Sequence, residues 1–450
     1  MSPDEVLAKI KNDKVEFINL QFSDIMGITK SVTIPIGKFP EAIENGLWFD
    51  GSSVEGFTRI FESDMLLRPD FNTYAIIPWL STGTDNIARV ICDVFTPDGK
   101  PYQSDPRYVL QKVMKEATDM GFVYNTGPEM EFFLFKKDNG TIKTTSDKKI
   151  EPHDLGQYFD LDMDLGYIVR KEMMHALQMM NIEVEASHHE VAPGQHEIDF
   201  TYGNAITSAD RVMTLKATLK AIARKSGLHA TFMPKPLLGV NGTGMHIHQS
   251  LFSLDGKKNM FFDAKDKYNL SETAYHFLAG QMKHVREMCA ILNPIVNSFK
   301  RLVPGYEAAT YICWAQQNRS ALIRVPKYTA GKDKAVRLEI RNPDATTNPY
   351  LAFAVLLKAG LDGIKNKLQA PPPVEEDVFE FDEAHLEKKH IEVLPYSLWD
   401  AVKELKNSKL MHEALGDDLH KKYIRAKEQE WDDFRIAVTD WEISQYLELF

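Results

Sequence analysis

Cysteine is scarce in this chain of 450 residues, which has three, at positions 92, 289 and 313. An odd number of widely spaced cysteines fits neither a disulfide framework nor a C-x-x-C zinc or redox site, so we expect reduced thiols in the protein core. Long apolar runs are also missing: no window approaches the roughly 18 residues of a membrane span, and the N-terminus lacks a signal peptide. The sequence therefore predicts a cytoplasmic protein that does not enter a membrane.

Positive charge is in deficit, with 53 Lys and Arg against 64 Asp and Glu, for a net charge of −11. This balance argues against a protein that binds nucleic acid or an anionic membrane surface. Any anionic ligand must then be held by local cations or by metal. Hydrophobic residues make up 44% and charged residues 26% of the chain, which is typical of a globular protein and excludes the disordered and fibrous classes.

The common nucleotide-binding signatures are absent. The Gly-Lys pair at 331–332 lacks the upstream glycine of a P-loop, and the run 239–244 (GVNGTG) has the wrong spacing for G-x-G-x-x-G. A turn before a strand is an equally simple explanation of this glycine-rich run. Gly242 and Gly244, just before His246, would nevertheless allow the backbone to approach a ligand closely.

The pattern of the sequence changes near residue 100. Before it, β-rich segments separated by turn residues lie at 15–24, 27–35, 73–79 and 86–95. After it, helical spacing predicts longer helices near 104–121, 164–180, 207–226, 271–292, 348–367 and 418–438. Strand-like pieces lie between these helices, so the fold class is α+β, with helices backing a sheet. We predict a small β domain over 1–103 and a large domain over 104–450.

Ionisable residues occur at i and i+2 in four strand-like segments, and side chains at this spacing point to the same side of an extended chain. The residues are Glu129 and Glu131; Glu197 and Asp199, with Glu190 just upstream; His246 and His248; and Arg337, Glu339 and Arg341. A wet outer strand face would give the same alternation, so each segment alone is ambiguous. Four such segments together indicate one polar face whose carboxylates need cations between them.

The candidate ligands are oxygen-rich, include imidazole and contain no thiolate, which suits Mg²⁺ or Mn²⁺ better than a structural zinc ion. Magnesium held by carboxylates keeps positions for water and substrate phosphates. Arginines near the same segments, at 301, 319, 324, 337 and 341, would grip phosphate or carboxylate groups. This combination is typical of phosphoryl transfer.

Seven blocks of the sequence resemble the glutamine synthetase family and follow its order. They are 50-DGSS-53, 127-GPEMEFF-133, 188-HHEVAPGQHE-197, 234-PKPLLGVNGTGMHIHQS-250, 301-RLVPGYEA-308, 318-NRSALIRVP-326 and 337-RLEIRNPDATTNPYL-351. The likeness runs from residue 17 to the C-terminal helix and is greatest to the compact I-α form of bacteria and archaea. It implies an N-terminal β-grasp-like domain, then a glutamine synthetase/guanido kinase-like catalytic domain with helices backing a curved antiparallel sheet. The implied reaction is ATP-dependent ligation of ammonia to L-glutamate through γ-glutamyl phosphate.

The resemblance also implies roles for individual residues. Two metal ions, Mg²⁺ or Mn²⁺, would be held by Glu131, Glu190 and Glu197 and by Glu129, His246 and Glu339. Glutamate would be held by Asn241, Gly242, Arg301 and Arg341. ATP would be contacted by His248, Ser250, Arg319, Arg324 and Arg337. Ammonium would bind beside Asp50, Ser53 and Tyr158, and Glu307 belongs to a flap that closes over the intermediate. Asp50, Glu307 and Arg319 are the expected catalytic residues.

The family resemblance further implies a homododecamer of two stacked hexamers, with active sites shared between neighbouring subunits and the apolar C-terminus gripping the opposite ring. A small nitrogen-regulatory protein is a candidate partner. Glu392 stands where adenylylated relatives have tyrosine, so adenylylation is not expected there. Arg59 resembles an arginine used for glutamine feedback, and Val240 replaces an aspartate of many relatives.

Two other functions stay open on the sequence alone. One is a γ-glutamyl ligase that uses a polyamine or another amine in place of ammonia. The other is a non-catalytic relative, which should have lost metal ligands, whereas all six are present here. An assay of ADP release with ammonium and with a panel of amines distinguishes all three cases.

Overall fold

The computed structural model describes residues 1–52, 54, 64–138, 140–144, 150–306 and 308–450. Ser53, Arg59 and Glu307, to which the sequence assigned roles, lie outside the described residues. The described chain builds two sheets, and each sheet has its own cluster of buried apolar side chains. This arrangement agrees with the predicted α+β class.

The first sheet is formed by the N-terminal part of the chain. Its strands are β1 (Val15–Ser23), β2 (Thr29–Pro35), β3 (Leu47–Asp50), β4 (Asp64–Ile76) and β5 (Asn86–Phe95), in the order β2-β1-β5-β4-β3. Strands β1 and β5 are parallel and the other pairs antiparallel. Helices α1 (Pro3–Asn12) and α2 (Phe39–Asn45) accompany it. The sequence missed α2 and β3, and β3 is the edge strand that ends in Asp50.

The larger unit contains the remaining elements. Its helices are α3 (Pro106–Asp119), α4 (Tyr167–Met179), α5 (Ala205–Lys225), α6 (Glu272–Leu292), α7 (Ser298–Arg301), α8 (Pro349–Asn366), α9 (Glu383–Lys388), α10 (Leu398–Asn407), α11 (Lys409–Leu415), α12 (Asp417–Arg435) and α13 (Asp440–Tyr446). Its strands are β6 (Phe122–Asp138), β7 (Thr141–Ile142), β8 (Val184–His189), β9 (Gln195–Phe200), β10 (Gly203–Asn204), β11 (Leu228–Thr231), β12 (Ile247–Ser253), β13 (Tyr311–Ala315), β14 (Ala321–Arg324) and β15 (Leu338–Ile340).

The main path of the second sheet runs β13-β14-β15-β12-β6-β9-β8, and β7, β10 and β11 also pair with β6. All its pairs are antiparallel except β13 with β14, which are parallel. The long central strand β6 alternates as its sequence predicts. Met130, Phe132 and Leu134 are fully buried in the apolar core, while Glu129 and Glu131 point to the opposite face. The sheet therefore divides the unit into an apolar side and a side that carries the ionisable residues.

The six predicted long helices all form, with ends within a few residues of the predicted bounds, and a side chain caps the start of four of them, α3, α5, α6 and α8. Asp105 accepts a hydrogen bond from the Arg107 amide at the start of α3, and Asn348 caps α8 in the same way.

Helices α6 and α8 approach closely through glycine. A Cβ atom at Gly363 would lie 2.0 Å from the His276 carbonyl oxygen, so this crossing needs a residue without a side chain.

Arg107 joins the N-terminal sheet to helix α5 of the larger unit. Its buried guanidinium contacts Asp70 at 2.7 Å and Asp93 at 2.5 Å in the N-terminal part, and Asp210 at 3.0 Å in the larger unit. Such a fully hydrogen-bonded arginine fixes the relative placement of the elements that carry its partners. The domain boundary after residue 103 stays a prediction. We propose it there because β5 ends at Phe95 and α3 begins at Pro106.

The three cysteines are free and buried, as predicted. Burial raises the pKa of the Cys289 thiol, which disfavours the reactive thiolate and marks Cys289 as a core residue. Among the described residues, no helix combines the length and apolar character needed to cross a membrane.

His284 gives a test of the packing between α6 and α8. Its ring nitrogens lie 3.1 Å from Glu287 Oε1 and 2.9 Å from Asp362 Oδ2. Burial alone would lower the pKa of His284, but these carboxylates outweigh burial and raise it. A raised pKa in the folded state stabilises the fold below the unfolded value, and this gain is lost as pH rises through the folded value.

We therefore expect His284→Gln to lower the free energy of unfolding by about 1–3 kcal/mol in mildly acidic solution, the contribution of hydrogen bonds to a charged group. This loss of unfolding free energy should become smaller in alkaline solution. Urea denaturation of both proteins across the pH range measures it. His276→Gln is the matched control on α6, because His276 contacts a carbonyl oxygen, that of Leu368, at 2.7 Å. An equal deficit at every pH would contradict the ionic role of His284.

Candidate active site

A cavity of about 270 Å³ opens on the polar side of the second sheet. Its lining includes all six predicted metal ligands, Glu129, Glu131, Glu190, Glu197, His246 and Glu339. We call it the acidic cavity. The structure thus brings together residues that are up to 210 positions apart in sequence, from 129 to 339.

Strand register explains this convergence. On the neighbouring strands β6 and β9, Glu131 lies opposite Glu197, and on β12 and β15, His248 lies opposite Glu339. Directly opposed residues of an antiparallel pair present their side chains to the same face. The i, i+2 spacing of the sequence then places the second ionisable residue of each strand on that face too.

Glycine and glutamine fix Glu131 on the cavity floor. Its Oε2 atom accepts hydrogen bonds from the Gln195 side chain and from the Gly244 amide, both at 2.9 Å. A Cβ atom at Gly244 would lie 2.6 Å from the Arg301 guanidinium, so only glycine allows this approach. The glycine-rich run therefore has a structural purpose beyond a turn.

One half of the acidic cavity contains hydrogen-bonding groups that pair with its carboxylates. Glu129 lies 3.1 Å from His246 Nδ1 and 2.6 Å from His248 Nε2. Glu339, fully buried, accepts hydrogen bonds from Arg341 at 2.5 Å and from Arg324. Burial alone would raise the pKa of Glu129, but the hydrogen bonds from the two histidines outweigh it and the pKa lies below its usual value.

The other half is short of positive charge. Glu197 shares this half with Glu131 and Glu190, and burial followed by repulsion from neighbouring carboxylates raises the pKa of Glu197 to about 10. His188 also belongs here, with Nε2 3.1 Å from Glu197 Oε1 and Nδ1 3.6 Å from Glu190 Oε1. The sequence did not predict His188 as a site residue. Its position two residues before Glu190, in a strand that ends at the cavity, was the available signal.

The donor set fits divalent cations. Potential ligand atoms of Glu129, His246 and Glu339 lie within 4.8 Å of one another, and so do those of His188, Glu190 and Glu197. Buried carboxylates in such proximity are stable as anions only when a cation lies between them. Oxygen donors with a minority of imidazole suit Mg²⁺ or Mn²⁺.

Arginines line the other wall of the acidic cavity. Arg301, Arg319, Arg324 and Arg341 all take part in its lining, as predicted for groups that hold carboxylate or phosphate. Arg301 is buried and anchored by the carbonyl oxygens of Asn342 at 2.7 Å and Arg341 at 3.2 Å. A guanidinium fixed from behind in this way offers a rigid donor to a ligand in the cavity.

A second cavity, of about 450 Å³, adjoins the first, and Glu129 lines both. We call it the adjoining cavity. It contains three predicted nucleotide-binding residues, His248, Ser250 and Arg337, and Arg337 donates to His248 Nδ1 at 3.0 Å. Asp199, which the i, i+2 pattern placed on the ionisable face beside Glu197, also lines it. Glu185, Tyr202, Lys332 and Lys334 line it too, and no motif in the sequence marked these four as site residues.

The remaining predicted residues fall into three groups. Tyr158, Asn241 and Gly242 line the acidic cavity. Asp50 lies at the exposed end of β3, where it accepts a hydrogen bond from the Ser52 amide at 2.8 Å, and it is not among the residues that line either cavity of the described chain. Ser53 and Glu307 lie outside the described residues.

Comparison with protein families decides the relationship. The family model "Glutamine synthetase, catalytic domain" matches residues 103–446, and "Glutamine synthetase, beta-Grasp domain" matches residues 14–97. The chain belongs to the glutamine synthetase family. The family membership confirms the predicted β-grasp and catalytic parts of the fold. Glutamine synthetases use ATP and divalent metal ions, and this chain is an ATP-dependent ligase of that family.

Full-length glutamine synthetases are similar to this chain. The protein of Methanosarcina mazei is 49% identical over 447 residues, covering 99% of this chain and 98% of the relative, and that of Clostridium saccharobutylicum is 48% identical over 445 residues with the same coverage. Solved structures agree in fold. Plasmodium falciparum glutamine synthetase superposes with a TM-score of 0.88 at 26% identity, covering 99% of both chains. A GmaS/ADP complex superposes with a TM-score of 0.87 at 30% identity, covering 98% and 99%.

Proposed function

We propose that the acidic cavity and the adjoining cavity together form the active site with which this enzyme makes glutamine. The reaction is the ATP-dependent ligation of ammonia to L-glutamate through γ-glutamyl phosphate. The observation that carries the assignment of the site is the meeting, in one cavity, of six metal-ligand candidates and four arginines beside a second cavity of larger volume. That combination suits the transfer of a phosphoryl group to a carboxylate.

The chemistry explains why both cavities are needed. A carboxylate and ammonia do not condense in water, so the carboxylate must first gain a good leaving group. Transfer of the γ-phosphoryl group of ATP to the glutamate side chain supplies it, forming an acyl phosphate and releasing ADP. An anionic nucleophile must approach an anionic phosphate for this step, and cationic side chains lower that barrier. Arg319 and Arg324, which line the acidic cavity, are the proposed cations for this step.

Two Mg²⁺ or Mn²⁺ ions per site fit the proposed ligands. Glu131, Glu190 and Glu197, which line the acidic cavity, would hold one ion. Glu129, His246 and Glu339, whose ligand atoms lie within 4.8 Å of one another, would hold the other. When bound, these ions neutralise charge on the reacting phosphate and carboxylate oxygens. The excess of carboxylates in the half that contains Glu197 supports the first assignment, because repulsion there is relieved by a cation.

Ammonium needs an anionic binding place and a proton acceptor. Asp50 is the proposed acceptor, and Tyr158 and Ser53 complete the pocket with it. Glu307, on the segment that follows Tyr306 of the cavity lining, is the proposed flap residue that excludes water from the acyl phosphate. Removal of a proton from ammonium gives the neutral nucleophile that attacks the acyl phosphate and displaces phosphate.

Glutamate is proposed to bind between the 241–242 segment and the arginines at 301 and 341. A test follows from the crowding around Gly242, where a Cβ atom would lie 2.2 Å from the Pro234 carbonyl oxygen. Gly242→Ala should therefore shift this segment and raise the KM for glutamate at least about tenfold, while the KM for ATP changes little. Gly239→Ala, where the Cβ meets no atom within 4 Å but φ is +81°, controls for backbone strain in the same loop. Equal changes in both KM values would contradict the assignment.

The proposed assembly is a homododecamer of two stacked hexamers with shared active sites. Its support is the apolar C-terminus, where Trp441, Leu447 and Phe450 are 62%, 73% and 100% exposed in one chain. An exposed apolar patch of this kind indicates a protein interface.

A small nitrogen-regulatory protein is a candidate partner of the enzyme, and feedback inhibition through Arg59 is a candidate regulatory mechanism. A cytoplasmic location, without nucleic-acid or membrane binding, is part of the same proposal.

The test of the function is an assay of purified protein with Mg²⁺, ATP and glutamate. We expect ADP release and glutamine formation with ammonium, and little acceleration by methylamine, ethanolamine or polyamines. Preference for one of these amines would assign the chain to a different γ-glutamyl ligase reaction. No turnover with any of them would support a non-catalytic role.

A further inference from the structure

A buried network of charged and polar residues lies behind the acidic cavity and has no place in the mechanism described above. It consists of Asp154, Asp164, Arg170, Ser187, His189 and His196. The side chains of Asp154, His189 and His196 have no exposed surface. Buried ionisable groups destabilise a folded protein unless they have hydrogen-bond or ion-pair partners. A network with so many of them therefore calls for a structural or functional reason.

Asp154 is the centre of this network. Its Oδ1 atom accepts from the Gly194 amide at 3.0 Å and from His189 Nε2 at 2.8 Å, and its Oδ2 atom accepts from the Gly166 amide at 3.1 Å. The other ring nitrogen of His189 donates to the Glu190 carbonyl oxygen at 2.6 Å. His189 therefore links Asp154 to the backbone of Glu190 through both of its ring nitrogens.

The network joins two segments that line the acidic cavity. One is the segment 153–166, which carries Tyr158, and the other is the loop 190–195, which carries Glu190 and Gln195. The His189 carbonyl oxygen also accepts from the Phe159 amide at 3.2 Å, which ties the two segments a second time. The relative positions of Tyr158 and Glu190 are thus set through Asp154 and His189.

Neither a metal ion nor loose packing accounts for this arrangement. A Cβ atom at Gly156 would lie 2.7 Å from His189 Nε2, and one at Gly166 would lie 2.4 Å from His196 Cε1. The backbone is therefore packed directly on both rings. Ligand atoms of Asp154, His189 and His196 lie within 4.8 Å of one another, and His196 Nε2 has no hydrogen-bond partner among the described residues, but the Arg170 guanidinium 2.8 Å from His196 Nδ1 disfavours a metal cation at this place. The network is a hydrogen-bonded brace.

We propose that Asp154 is a positioning residue for the ammonium side of the active site, holding the Glu190 loop and the Tyr158 segment together through His189. The inference rests on the proposed function of the acidic cavity and adds to it a residue that touches neither metal nor substrate. Partners that orient metal ligands in this way typically change metal affinity or activity by roughly 10- to 100-fold when replaced.

Asp154→Asn is the most specific test. The carboxylate of Asp154 accepts hydrogen bonds on both of its oxygens, whereas an amide of the same size can accept on only one. Its NH₂ group must face either the Gly166 amide or the Gly194 amide with His189, which loosens one of the two segments. We expect the KM for ammonium to rise roughly tenfold, the KM for ATP to stay within about twofold, and the rise in unfolding temperature caused by Mn²⁺ alone to become smaller. The last readout does not depend on turnover.

Asp362→Asn is the matched control, since it removes the carboxylate from another buried histidine, His284, on residues that line neither cavity. Gly156→Ala, which presses on His189 without changing any charge, is the second variant and should give the same separation of KM values. Folded variants with the ammonium KM and the Mn²⁺ response of the unmodified enzyme would overturn the proposal. Loss of folding in both variants, with Asp362→Asn intact, would also overturn it and assign the network to stability alone. Failure of the unmodified enzyme to form glutamine would instead reject the proposed function.

Discussion

Replacement of Glu339 by glutamine is expected to lower the rate of glutamine formation roughly a hundred- to a thousand-fold, the range found when one preorganised electrostatic contact is lost. Glu339 is fully buried, accepts from Arg324 and Arg341, and lies 3.8 Å from His246 Nδ1. A neutral amide of the same size would leave two arginines partly unpaired and remove one anionic ligand from the proposed second metal ion. The effect should appear in kcat, with weaker binding of Mn²⁺ measured by calorimetry.

Glu404→Gln provides the control for this variant. Glu404 also pairs with an arginine, Arg286, at 2.8 Å, but it lines neither cavity. We expect its activity to match that of the unmodified enzyme, with a stability change below about 1 kcal/mol because the pair is partly exposed. If both variants lose activity equally, the loss reflects damage to arginine pairing in general. If Glu339→Gln keeps full activity, Glu339 is not a metal ligand in this enzyme.

Periodicity carried most of the information about the fold. The i, i+2 alternation on β6 and β12 and the helical spacing of α5, α6 and α8 come from side-chain burial, which the chain must satisfy wherever these elements pack. Strand order and register could not be obtained in this way. The parallel pairing of β13 with β14 and the long extent of β4 depend on contacts between distant segments, which local spacing does not encode.

In the candidate site, too, the residues marked by local spacing could be predicted and those that depend on long-range contacts could not. Glu129, Glu131 and Glu339 stand on strands and His246 directly precedes β12; the alternation of the sequence already placed them on one face, and the family resemblance supplied their roles. His188 shared that spacing with Glu190, but a neighbouring second histidine obscured it. Asp154 could not be identified from the sequence, because no local sequence pattern marks a loop aspartate as the partner of a histidine 35 positions later in the chain. Its importance becomes visible only when both segments are folded against β6.

Replacement of Asp50 by alanine is expected to lower glutamine formation at least about a hundredfold, since a proton acceptor typically contributes that much or more. Hydrogen bonds from Ser52 lower the pKa of Asp50, so the side chain is an anion at neutral pH and suited to attract ammonium. Mn²⁺ binding should be unchanged, because Asp50 stands on the N-terminal sheet, apart from the acidic cavity lining of its own chain. Asp64→Ala, opposite Asp50 on β4, is the control within the same strand pair.

Subunit mixing then decides where Asp50 acts. Asp50→Ala and Glu339→Gln subunits are each expected to be nearly inactive, but if a site takes Asp50 from one chain and Glu339 from its neighbour, mixed oligomers contain intact sites. Random mixing in equal amounts leaves each half intact with a probability of about one half, so about a quarter of the activity should return. If Asp50 instead serves its own chain, every site carries one defect and no activity returns. The recovered fraction therefore separates a shared active site from one built within a single chain, independently of any structure of the assembly.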